Sequence, residues 1–146
     1  MRHLIPIALV AAACTTPVKG TLSLEDGTEI DFWDGFLLVD ASATNALGIL
    51  LTNRSVECDI PGALDQGEVD PHVLEVDLLN ADVQAGVHVL LANGSYSQIA
   101  EAPWEATHDW GPGNVETRGT LSLTGEGTTG EFEFRLPVCA LAYYYE

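Results

Sequence analysis

The side chains best suited to chemistry in this 146-residue chain are gathered in one short stretch, Ala102 to Pro112, which holds Trp104, His108, Asp109 and Trp110. Indole faces near a carboxylate suit stacking on a sugar ring or clasping a basic side chain, so this stretch reads as a candidate glycan- or peptide-binding loop. In the competing reading, Trp104 and Trp110 plug the open end of a β fold. A second set, Asp65, Glu68 and Asp70, lies among Gly62 and Gly67 and offers hard oxygen ligands for weak calcium binding. Calcium loops place their ligands at alternate positions around a glycine, and that spacing is missing here. Glu29, Asp31 and Asp34 would share a strand face and read as a solvated edge. Nucleophilic catalysis needs a serine or cysteine beside a base, but the chain has no Gly-x-Ser-x-Gly elbow, and Ser95 belongs to a turn. His72, His88 and His108 stand far apart in sequence. No catalytic residue is assigned, the chain reads as a non-enzyme, and no cofactor is expected apart from the calcium alternative.

Charge narrows the partners. Twenty-two acidic residues face five basic ones, a net charge of −17. Such a surface repels phosphate backbones and anionic headgroups, which excludes nucleic acid as a direct partner. The acidity serves either solubility and self-repulsion or the binding of a cation or basic partner. An apolar fraction of 47% is too high for a disordered chain.

The N-terminus addresses location. Met1-Arg2-His3 precedes an apolar run from Leu4 to Ala13 and then Cys14, the pattern of a secretory signal ending at a lipidation site. A spanning helix needs roughly 20 apolar residues, and Thr15 and Thr16 interrupt well short of that. Ala11-Ala12-Ala13-Cys14 resembles the lipobox of bacterial lipoproteins, with Ala11 where leucine is usual. The resemblance implies removal of residues 1–13, acylation of Cys14, a lipidated tether over 14–19 and one domain over 20–146. Thr15 in place of aspartate resembles lipoproteins sent to the outer membrane, facing either the periplasm or the cell surface. The acyl chains, not a protein surface, would then supply membrane affinity.

There are three cysteines, Cys14, Cys58 and Cys139. If Cys14 is acylated, the other two form one pair. A Cys58–Cys139 bridge closes a loop of about 80 residues, which chain entropy values at roughly 4–5 kcal/mol. The alternative is two buried free thiols. The spacing fits no zinc motif.

The elements that position these residues are strands. In Gly130 to Leu136, Phe132, Phe134 and Leu136 alternate with Glu131, Glu133 and Arg135. Leu74, Val76 and Leu78 alternate in the same way, as do Ile30 with Phe32, and Val87, Val89 with Leu91, which points His88 to solvent. Glu25-Asp26-Gly27, Asp34-Gly35, Asn93-Gly94 and Gly125-Glu126-Gly127 mark turns, with Asn93-Gly94 suited to a two-residue hairpin. The pattern predicts strands over about 18–25, 28–33, 36–41, 46–53, 72–79, 86–92, 96–101, 116–124, 130–136 and 138–145. Residues 54–71 and 102–115 read as long loops. The fold class is all-β, an antiparallel two-layer β-sandwich, with a partly open barrel as the alternative. Lys19-Gly20-Thr21-Leu22-Ser23-Leu24 matches Arg118-Gly119-Thr120-Leu121-Ser122-Leu123, either because two strands obey one alternation or because they correspond in a pseudo-symmetric fold.

The chain also resembles a loose class of uncharacterised, disulfide-containing β-sandwich lipoproteins of GC-rich Gram-negative bacteria. The shared pattern is an early glycine-led strand, a strand (Gly48 to Thr52) leading to Cys58, a Gly-Thr-Leu-Ser-Leu strand, a Gly-x-Phe strand (Gly130, Phe132) and a Pro-x-Cys ending (Pro137, Cys139). That class transfers fold and location but no activity. The expectation is a lipid-anchored envelope protein, a non-catalytic binding or structural module whose partner is an envelope protein or glycan.

Overall fold

The structure, a computed structural model, describes residues 16–56 and 71–140. These residues form ten strands: β1 (Val18–Ser23), β2 (Glu29–Asp31), β3 (Asp34–Val39), β4 (Ala46–Thr52), β5 (His72–Asp77), β6 (Ala85–Leu90), β7 (Tyr96–Ala102), β8 (Trp104–His108), β9 (Glu116–Thr124) and β10 (Thr129–Ala140). The all-β expectation holds. All ten belong to one sheet, in the order β2-β1-β10-β3-β4-β5-β6-β7, with β9 on β10 and β8 on β9. The sheet curls so that one face of both halves meets in a single cluster, from Leu22, Phe132, Leu121 and Leu123 on one side to Leu37, Ile49, Leu74 and Val87 on the other. It is therefore a curled open sheet, nearer the half-open barrel than two separate layers.

β10 makes the curl. Residues 129–137 pair antiparallel with β9, and residues 129–134 pair antiparallel with β1 along the other edge. Residues 138–140 then pair with β3 in parallel, so the sheet is not wholly antiparallel as expected. The expected strands 130–136 and 138–145 are thus one strand running through Pro137, and residues 141–146 lie outside the described residues. A proline is tolerated there for a visible reason. Arg135 N donates to Pro17 O on the β1 side and Val138 N donates to Val115 O on the β9 side. Alternation puts the missing donor of Pro137 on the β1 side, after the β1 pairing has ended and before β3 begins.

The two matching hexapeptides occupy β1 and β9, on opposite edges of β10. Each brings a glycine under a phenylalanine: Gly20 stands opposite Phe132, and Gly119 opposite Phe134. A Cβ on either glycine would meet the facing ring. Phe132 also packs edge-on against Phe32, with ring centroids 5.8 Å apart.

The turns follow their glycines. Leu24 N bonds Thr28 O around Glu25-Asp26-Gly27, and Leu91 N bonds Ser95 O around Ala92-Asn93-Gly94. Gly27 and Gly94 have φ of 88° and 85°, the left-handed residue that ends a three-residue hairpin loop. The Asn93-Gly94 hairpin is thus one residue longer than expected. Asp34 begins β3 instead of forming a turn.

The β3–β4 loop has no glycine and is held by one carboxylate. Asp40 accepts from Thr44 N at 2.7 Å, Asn45 N at 3.1 Å, and Thr44 Oγ1 and Asn45 Nδ2 at 2.9 Å each. This cradle fixes a loop in which Ala43 sits at φ 54°. The Asn45 amide, followed by the Thr44 backbone N–H, drives the Asp40 carboxyl well below its usual 3.8. A depressed native pKa adds stability above the unfolded value, and that stability is lost as pH falls through the native one. Asp40→Asn should therefore lower the urea midpoint by a constant amount between pH 5 and 8. The gap to wild type should then narrow as the pH drops below about 4, by urea titration at each pH.

Candidate functional site

The Trp104–Trp110 stretch is more ordered than a loop. Residues 104–108 form β8 along β9, with Trp104 opposite Leu123 and His108 opposite Gly119. At roughly 3.4 Å per residue, the two ends of β8 stand about 13 Å apart. Trp104 is half-buried against the core, and its indole N–H donates to Val83 O at 2.8 Å, tying β8 to the turn before β6. Trp110, beyond the other end of the strand, also packs on the core and donates its indole N–H to Asn114 O at 3.0 Å. The indoles lie at opposite ends of β8 and do not share a platform.

His108, Asp109 and Trp110 do come together, as a turn. Trp110 N donates to His108 Nδ1 at 3.3 Å. Asp109 Oδ1 accepts from Arg118 N at 2.8 Å and from Thr117 Oγ1 at 3.0 Å. The Arg118 N–H, then the Thr117 hydroxyl, holds this carboxyl below its usual range. Asp109 is thereby committed to closing the β8–β9 hairpin.

Asp65, Glu68 and Asp70, along with Cys14 and Cys58, lie outside the described residues. Among the described residues no group of three or more His, Cys, Asp or Glu could hold a metal ion. Asp31 accepts from Thr21 Oγ1 at 2.6 Å, and Asp34 accepts from Gly35 N at 2.8 Å and Val56 N at 3.1 Å. His88 does not point freely to solvent. It is half-buried over Gly86, with Nε2 3.6 Å from Glu75 Oε2. His72 stands on the inner face opposite Val89, its backbone N–H donating to Asn53 Oδ1 at 2.7 Å.

His72 leads to a feature the sequence does not advertise. It lines a cleft of about 620 Å³ at the open end of the curled sheet. One wall is β5 to β7, and the other is made by the β1–β2 turn and the β9–β10 turn. Leu24, Val89 and Ile99 give it an apolar lining, while Glu25, Asp26, Glu101 and Glu126 supply carboxylates; among the described residues no lysine or arginine lines it. Its size is that of an ordinary ligand pocket. No local pattern announces it, because its walls come from strands and turns far apart in sequence.

Compared with known proteins, the chain matches no family model, no curated protein and no solved structure.

Proposed function

We propose that this protein is a lipid-anchored component of a bacterial cell envelope, exported and acylated on Cys14, and that it acts as a non-catalytic binding or structural module. The single observation that carries this reading is the Met1–Cys14 pattern set directly against a folded domain. The chain is held from the first described residues: Thr16 Oγ1 donates to Val18 O, Arg135 N donates to Pro17 O, and β1 starts at Val18. A tether this short keeps the domain close to the bilayer. β1 spans roughly 20 Å, and the acidic cleft opens at its far end, beside Leu24.

A Cys58–Cys139 bridge belongs to the same reading. Cys139 pairs with Leu38 on the face opposite the main core, and it is fully buried there, as are Phe36 and Val73. Val56, two residues before Cys58, donates its N–H to Asp34 at the start of β3. Val56 thus sits beside β3, the strand with which Cys139 pairs.

The test is Cys14→Ala, expressed in a bacterium with lipoprotein processing. The wild type should sediment with membranes and carry acyl chains by intact-mass analysis. The variant should move to the soluble fraction while keeping the wild-type thermal transition. Membrane retention of the variant, or a wild-type mass that retains Met1, would refute the anchor.

A further inference from the structure

We infer that the acidic cleft binds an extended, basic peptide segment that adds as a strand to the free edge of β7. Among the described residues β7 terminates the sheet order, so one side of its backbone faces no other described strand. Ile99, Ala100 and Glu101 are consecutive on β7, and all three line the cleft. Side chains of consecutive strand residues point to opposite faces. Ile99 is the extra residue of a β-bulge, so alternation holds between Ala100 and Glu101; a cleft that touches both reaches around the strand edge, where the N–H and C=O groups that face no described strand lie. Ile99 is 42% exposed, a large apolar group presented beside this edge.

The remaining chemistry selects the occupant. Main-chain hydrogen bonds to an open edge recognise any extended peptide, and pockets for alternate side chains decide which one. Here one set of alternate residues would meet Leu24, Val89 and Ile99, and the other would meet Glu25, Asp26, Glu101 and Glu126. With no lysine or arginine among the described lining residues, these carboxylates favour lysine or arginine and oppose acidic segments. A peptide alternating aliphatic and basic residues satisfies both. A metal ion fits less well, since the carboxylates are spread around the rim and do not converge. The inference does not depend on the lipid anchor, since binding would occur equally in a protein released from the membrane.

The experiment uses the full chain in neutral detergent and the synthetic peptide acetyl-Lys-Val-Lys-Ile-Lys-Val-Lys-amide, followed by calorimetric titration. Its Glu-for-Lys counterpart and spermine serve as comparison ligands. The basic peptide should bind, the acidic one should not, and spermine should bind at least about tenfold more weakly because it has no backbone to pair with β7. Glu101→Gln with Glu126→Gln should weaken the peptide by about tenfold. Glu131→Gln with Glu133→Gln, an equal charge change on the outer face of β10, should change it less than about twofold. Equal weakening by both pairs would show attraction to overall charge and overturn the site. Spermine binding as tightly as the peptide would overturn strand addition, and absence of peptide binding would overturn both.

Discussion

Replacing Phe132 with alanine is expected to destabilise the domain by about 3–5 kcal/mol, the range for emptying a large aromatic from a packed core. Phe132 is 2% exposed and lies on β10, the strand on which both halves of the sheet depend. Its ring does two things that no neighbour can replace. It packs edge-on against Phe32 from the β2–β3 link, and it covers the backbone at Gly20, which has no side chain of its own. Truncation leaves a cavity over a glycine, where the walls are backbone and cannot collapse inward. A domain of this size has roughly 5–15 kcal/mol in total, so the variant should melt about 10 °C or more below wild type. Phe132→Leu, which keeps part of the volume, should lose distinctly less. Equal melting points for the alanine variant and wild type would mean that the curl is held elsewhere.

Phe132 is also where reading the sequence works best. Gly130 to Leu136 alternates without a break, and each predicted inward residue is buried. The turns at Gly27 and Gly94 were legible for a related reason: a glycine after Asp or Asn declares a left-handed residue locally. Three features were hidden, each because a partner strand supplies it. β8 is framed by Pro103 and Gly111-Pro112, and its small Ala106 gives little apolar signal, so it reads as loop until β9 pairs with it. Pro137 looks like a strand end because propensity cannot know that β10 changes partners at that point. The parallel contact between β3 and β10 joins residues about a hundred positions apart, which no local pattern encodes. The same limit governs the sites. Trp104, His108, Asp109 and Trp110 stand out by residue type, yet Trp104 ties β8 to the turn before β6 and the other three close the β8–β9 hairpin. The cleft does not stand out, because Leu24, His72, Ile99 and Glu126 come from four separate strands and turns.

Gly119→Val should be at least as damaging, through a different mechanism. Gly119 sits mid-strand in β9, between β8 on one side and β10 on the other. Valine has good strand propensity, so propensity alone predicts a gain. Packing predicts the opposite. A Cβ at this position would fall on the carbonyl oxygen of Thr107 and lie 2.8 Å from the Phe134 ring. The Phe134 side chain could rotate away, but Thr107 O is backbone within the β8 ladder. Relief therefore requires β8 to shift, and the bonds that hold its ends are those of Trp104 to Val83 and of Asp109 to Arg118 and Thr117. Overpacking typically costs about 1–3 kcal/mol, and detaching a five-residue edge strand adds to that. Hydrogen exchange separates this from a general loss of stability. Amides of β8 should lose protection in Gly119→Val well before those of β4 and β5, whose pairing does not involve β9. Gly119→Ala, with the same Cβ and no branches, should produce the same local pattern in weaker form. Uniform loss of protection across the sheet would show that β8 and the rest of the domain unfold as one unit.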